Sequence, residues 1–140
     1  MVSIILISIF IIGISRIYFI RNLNENKNLD LLSEKSMSVL IELQSKIGDT
    51  EHLNEEQMTF LNSALIKFSN VFFTDINIFD DEGKLISSSR PQIFSEGLLS
   101  DRINPLAYYQ LLTQKKTLFI HKEHIGKLNY YSSYVPFYDR

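Results

Sequence analysis

The chain contains no cysteine. That excludes a disulfide framework, thiolate zinc sites and a cysteine nucleophile. Tryptophan is absent as well, so ten Phe and seven Tyr supply the large side chains. Positive charge is not in excess: 14 Lys and Arg stand against 16 Asp and Glu, for a formal net charge of −2. A nucleic-acid partner is therefore not expected. There is no Gly-rich phosphate loop and no G-x-S-x-G context, and no cofactor is expected. What is present is room for one ordinary domain in 140 residues, with a 45% hydrophobic content that is unevenly spread.

Much of that apolar content lies at the front. "MVSIILISIFIIGIS" runs fifteen residues without a charge before Arg16 interrupts and "IYFI" follows. Counted through Ile20, the segment is about 30 Å long as a helix, close to the hydrocarbon thickness of a bilayer. Arg16 can snorkel to the headgroups and Tyr18 suits the interfacial belt. A cleaved signal peptide fits less well, because neither a basic n-region nor an A-x-A-like site is present. A buried globular helix would keep a polar stripe that is missing here. Residues 1–20 are expected to be a transmembrane helix. Arg16 near its end and Arg21 and Lys27 after it would, by the positive-inside rule alone, place that side in the cytoplasm.

Residues 21–48 are polar but periodic, and are expected to continue the same helix out of the membrane. Leu29, Leu32, Ser36, Leu40, Leu43 and Ile47 fall on one narrow stripe, a packing seam against the domain or against a second copy of the chain. Glu42 and Lys46 form an i,i+4 pair, and Gly48 sits where a C-cap belongs. "LNEEQ" restarts a helix with Asn54 as N-cap, Gln57 completing a capping box, and Leu53 and Met58 as a hydrophobic staple. Met58, Leu61, Leu65, Phe68 and Phe72 then mark an amphipathic helix that covers a core.

Residues 49–140 read as one domain. "TDINIFDDEGKLISSS" is a hairpin in which Ile76 and Ile78 alternate with Asp75 and Asn77, and Gly83 supplies the positive φ of the turn. Asn104 as N-cap and Pro105 at the first helical position open a short helix through Leu112 in the crossover. "TLFIHKEHIGKLNYYSSYVPFYDR" gives two more strands, broken near Gly126. The fold class is α+β: helix, two strands, helical crossover, two strands.

That order, with "INIFDDEGKLISSSRPQIF", "INPLAYYQL", "IGKLNYYSSYVPF" and the apolar span in front, resembles the extracytoplasmic sensor region of bacterial membrane histidine kinases of the Bacteroidetes type. The resemblance implies a PAS-like or Cache-like antiparallel sheet with a helical crossover. It also implies a fragment whose last strand is missing, with a basic cytoplasmic tail before Met1 that would resolve the charge asymmetry. It places the chain in the bacterial inner (cytoplasmic) membrane with the globular part extracytoplasmic, as part of a homodimer whose kinase core lies elsewhere in the parent protein.

No catalytic residue is expected in this chain. In "HKEH", His121 and Glu123 can share one strand face, but His124 points away and the spacing is not H-E-x-x-H, so no metal site is expected. Asp75, Asp80, Asp81 and Glu82 lack an EF-hand pattern and are explained by turn chemistry. Ser87, Ser88 and Ser89 have no nearby His to activate them. The resemblance implies that Arg90, after its strand, reaches a pocket, and with Tyr108, Tyr130 and Tyr134 it would suit a small polar or anionic ligand. The alternative is that Arg90 pairs with a carboxylate such as Glu96 or Asp101. The function expected is signal sensing for a two-component histidine kinase. The alternatives are the sensor of a chemoreceptor or cyclase, or a single-span membrane protein with a structural outer domain.

Overall fold

The computed structural model describes the backbone of residues 2–47 and 55–137, and side chains from residue 12 onward except those of 13 and 47. The chain divides into two compact units, Met1–Leu32 and Ser33–Arg140. One helix, α1 (Val2–Ile47), contributes to both. The expected continuation of the apolar segment into the polar one is therefore a single uninterrupted helix. The expected caps at Gly48 and Asn54, and the staple at Leu53, lie outside the described residues.

In the first unit, every described side chain from residue 12 to 28 is exposed. These include Ile12, Ile14, Ile17, Phe19 and Ile20, each more than half exposed, and Tyr18 at 75%. Most of the apolar run lies in residues 1–11 and 13, whose side chains are outside the described set. Among the described residues no helix is long and apolar enough to cross a membrane.

The second unit is built on the seam between the end of α1 and α2 (Glu55–Phe72). Val39 and Leu43 of α1 bury against Leu61, Ala64 and Leu65 of α2, and Met58, Phe68, Phe72, Ile76, Ile78 and Phe137 pack around them. The stripe expected on α1 thus closes on its own domain at Leu43. Val39, one residue from the expected Leu40 and one helical turn before Leu43, is the other buried position among the described side chains of α1. Lys35 donates to the carbonyl of Phe72 at 2.6 Å, placing a cation at the negative end of the α2 dipole. Beyond it, Phe73 takes a left-handed φ of 52° and Thr74 N–H reaches back to the Ser69 carbonyl at 3.2 Å. This is a Schellman stop with phenylalanine where glycine is usual.

Strands β1 (Asn77–Phe79) and β2 (Leu85–Ser88) form the expected hairpin, bulged between Ile78 and Phe79. Its turn is made by Asp80: the Lys84 N–H donates to Oδ1 at 2.7 Å and the Gly83 N–H to the backbone carbonyl at 3.0 Å. Gly83 has φ +78°, and a Cβ there would sit 2.7 Å from Ile103 Cγ2. A short helix α3 (Gln92–Ser95) follows, then α4 (Pro105–Tyr108). Asn104 caps α4 as expected, its side chain accepting from the Leu106 N–H. The predicted helix through Leu112 widens instead into a π-helical turn at Tyr109–Thr113, and Lys115, with φ 54°, follows it.

Strands β3 (Phe119–Ile125) and β4 (Leu128–Tyr134) pair in register around a turn at Gly126, whose φ is +58°. The single antiparallel sheet expected from the sequence is not formed among the described residues; there are two two-stranded sheets. The free edge of the first hairpin is taken by the crossover itself. Lys84 bridges Arg102, the Leu85 N–H donates to the Asp101 carbonyl and the Ile103 N–H to the Gly83 carbonyl, both at 2.8 Å.

Because so few side chains are fully buried, each should matter. Leu65→Ala and Leu43→Ala are each expected to cost about 2–5 kcal/mol in denaturant unfolding, whereas Ile41→Ala, 62% exposed on the same helix, should change stability by less than about 0.5 kcal/mol. Equal costs at positions 41 and 43 would contradict the seam.

Candidate functional site

The residues with the densest polar chemistry meet on one face of the β3–β4 hairpin. Alternation along each strand puts Phe119, His121 and Glu123 on the same side as Tyr130, Ser132 and Tyr134, and the register sets Glu123 directly opposite Tyr130. The Glu123 carboxylate is the hub. Oε1 accepts from Tyr134 OH at 2.6 Å and from Asn104 Nδ2 at 2.9 Å, and Oε2 accepts from Ser132 at 2.6 Å. Tyr130 adds a fourth hydrogen bond.

The electrostatics follow from that geometry. Partial burial pushes the Glu123 carboxyl upward, but hydrogen bonds from Ser132, Tyr134, Asn104 and Tyr130 outweigh it, and the group lies below its ordinary value of 4.5. The phenols respond in the opposite sense. Desolvation, then the charge of Glu123 and the hydrogen bond to it, push Tyr130 up to about 12. Desolvation and the Glu123 hydrogen bond raise Tyr134 further. Phe119 stacks on His121 at 5.7 Å and on Tyr134 at 6.4 Å, with Lys116 Nζ 5.8 Å above its ring. Across the hairpin, Lys122 lies over Tyr131.

Of the four residues singled out from the sequence, two come together here, Tyr130 and Tyr134. Tyr108 stands elsewhere: its hydroxyl donates to the Asp81 carbonyl at 3.1 Å, and its ring helps line an open hollow of about 220 Å³ with Glu82, Gly83, Arg102, Ile103 and Pro105. Arg90 joins neither group. Its Nε pairs with Asp75 Oδ1 at 2.7 Å, so its carboxylate partner is Asp75 rather than Glu96 or Asp101. Both side chains of the pair are well exposed, at 63% and 41%, which makes it a surface ion pair of small net worth. An anionic ligand beside Tyr130 and Tyr134 would meet the Glu123 charge.

The other clusters are accounted for by local structure. Ser87 donates to Asn62 Oδ1 at 2.5 Å and Ser88 to Asn77 Oδ1 at 2.7 Å, while Ser89 Oγ accepts from the Ile76 N–H at 2.9 Å. His124 and Glu123 alternate onto opposite faces. Among the described residues no three His, Asp or Glu side chains converge as metal ligands do. The role of Glu123 as a hydrogen-bond hub, and of Asn104 beyond its cap, is new information. A two-residue turn at Gly126–Lys127 would have fixed the pairing of Glu123 with Tyr130 from the sequence alone. No protein-family model matches the chain, and neither a curated protein nor a solved structure is detectably similar to it.

Two outcomes are expected. In a spectrophotometric titration, Tyr130→Phe and Tyr134→Phe should each remove one ionisation that lies above the ordinary tyrosine value of about 10. Raised phenol values add stability that is complete below the unfolded value and is lost as pH rises through the folded one, so unfolding should accelerate in strong alkali. Arg90→Ala should shift the unfolding free energy by no more than about 1 kcal/mol; a larger loss would show that the pair with Asp75 is more than a surface contact.

Proposed function

We propose that this chain is the extracytoplasmic signal-sensing region of a membrane-bound sensor histidine kinase, held in the bacterial inner membrane by residues 1–20. The observation that carries the reading is the exposure of Ile12, Ile14, Ile17, Tyr18, Phe19 and Ile20 around all sides of one helix. These six uncovered aliphatic and aromatic side chains lie within about two and a half turns that also carry Ser15 and Arg16, and lipid with its headgroups is the surrounding that suits them. A helix this apolar continues without a break into a small α+β domain, an arrangement suited to carrying a domain's conformational change toward a bilayer.

The element order supports a PAS-like or Cache-like ancestry for the domain: a covering helix, a hairpin, a helical crossover and a second hairpin. The same reading carries a second copy of the chain and a small polar ligand as partners. The chain itself performs no chemistry; the phosphotransfer belongs to a kinase core in the parent protein. A stimulus acting on the hairpins would be felt at α2, because Ser87 of β2 bonds Asn62 and Ile78 of β1 packs on the α1–α2 seam.

Topology and activity are tested separately. Since the chain has no cysteine, single cysteines placed at the exposed positions Ser45 and Glu96 can be labelled in intact cells with a membrane-impermeant maleimide. Labelling without lysis, on protein that sediments with membranes, is the expected outcome. A soluble protein, or cysteines labelled only after lysis, would overturn the anchor and orientation. Membranes carrying the parent protein should incorporate label from radiolabelled ATP into an acid-labile phosphohistidine; its absence would leave an anchored sensor with a different output.

A further inference from the structure

We propose that the carboxylate of Glu123 is a proton-released latch that holds the β3–β4 hairpin to the segment carrying the β1–β2 hairpin. The two hairpins share no strand ladder among the described residues. Residues 102–108 are hydrogen-bonded to both. Toward the first hairpin, Arg102 bridges Lys84, the Ile103 N–H donates to the Gly83 carbonyl at 2.8 Å, and Tyr108 OH donates to the Asp81 carbonyl at 3.1 Å. Toward the second, Asn104 Nδ2 donates to Glu123 Oε1 at 2.9 Å.

Asn104 can serve both sides because its amide is used at both ends. Oδ1 accepts the Leu106 N–H at 2.9 Å as the cap of α4, which fixes the orientation of the amide and aims Nδ2 at Glu123. All four donors to Glu123 are neutral. The bonds gain strength from the negative charge alone, and a proton removes it. The loss is not shared equally. The hydroxyls of Ser132, Tyr130 and Tyr134 can turn and accept from a protonated carboxyl, so bonding inside the hairpin persists. The amide nitrogen of Asn104 can only donate and shares Oε1 with Tyr134, so on protonation its bond falls from a charge-assisted one to a weaker neutral one, and the contact from the crossover to this hairpin weakens.

The direction of release follows from the depressed ionisation of Glu123. The charge-assisted part of the latch is complete above the ordinary Glu value and is lost as pH falls through the lower value of the folded state. Other titratable groups face it differently. Tyr130 and Tyr134 remain neutral throughout the acid range. His121, two residues away on the same face, stacks on Phe119, over which Lys116 sits. Lys122 and His124 lie on the opposite face of the hairpin, and α4 presents the neutral Asn104.

The test is an NMR titration of the full 140-residue chain in mild detergent from pH about 7 to about 3, following the Asn104 side-chain amide and backbone exchange corrected for its intrinsic rate. The expected result is one step below the ordinary Glu range that moves the Asn104 amide and speeds exchange in β3 and β4 by about tenfold or more relative to β1 and β2. Glu123→Gln should abolish the step. Asn104→Ser keeps an N-cap acceptor while deleting the donor, so it should raise β3–β4 exchange at neutral pH and leave no step. A step that survives in Glu123→Gln, an Asn104 amide that does not move, or unchanged β3–β4 exchange in Asn104→Ser would each overturn the latch.

Discussion

Everything in the Ser33–Arg140 unit leans on the seam where Val39 and Leu43 of α1 meet Leu61, Ala64 and Leu65 of α2. These are small and medium aliphatic groups, and their burial is the unit's largest continuous hydrophobic contribution. Two polar ties reinforce it. Lys35 closes the C-terminal end of α2, and Gln44 donates to the carbonyl of Phe137, just past β4. The last turns of α1 therefore hold the helix that covers the first hairpin and also the chain that leaves the second. Displacing those turns would disturb both.

Outside the seam the domain is held by specific polar contacts more than by bulk. The first hairpin uses its serines as staples, with Ser87 and Ser88 buried and each hydroxyl donating to an asparagine. The crossover covers its edge and is tied to the second hairpin through Asn104 and Glu123. Hydrogen bonds of this kind specify position at modest net stability, and they respond to charge in a way that an apolar contact does not. The structure thus pairs a rigid helical seam with an adjustable polar joint.

What the sequence made legible was governed by periodicity and by turn chemistry. The stripes through Leu43 and through Leu61 and Leu65, the turn at Gly83, the cap at Asn104 and the break at Gly126 all follow from local rules that act over a few residues. The misreadings concern contacts between distant segments. Whether two hairpins merge into one sheet depends on which chain reaches the free edge first, and here Asp101 to Ile103 reach it. Arg90 found Asp75, fifteen residues back, because β1 and β2 run antiparallel and bring the two hairpin ends side by side. In the sequence Glu123 stands near His121 and His124, whereas its partners in the fold come from β4 and from the cap of α4. Its value as a hub depends on register and tertiary approach, which composition does not encode.

On the proposed reading one helix serves two solvents: α1 exposes apolar side chains on all sides over residues 12–20 and buries one side at Val39 and Leu43. A spin label walked singly along residues 12–47 of the otherwise Cys-free chain, in lipid bilayers, reads both parts at once through collision with oxygen and with a polar nickel chelate. Over residues 33–47, the account predicts accessibility to both reagents oscillating with the helical repeat, with minima at 39 and 43. Over 12–20 it predicts high oxygen and low nickel exposure at 12, with nickel exposure rising and oxygen exposure falling toward the headgroup level at 16–20. Uniform nickel exposure over 12–20, or no oscillation over 33–47, would contradict it.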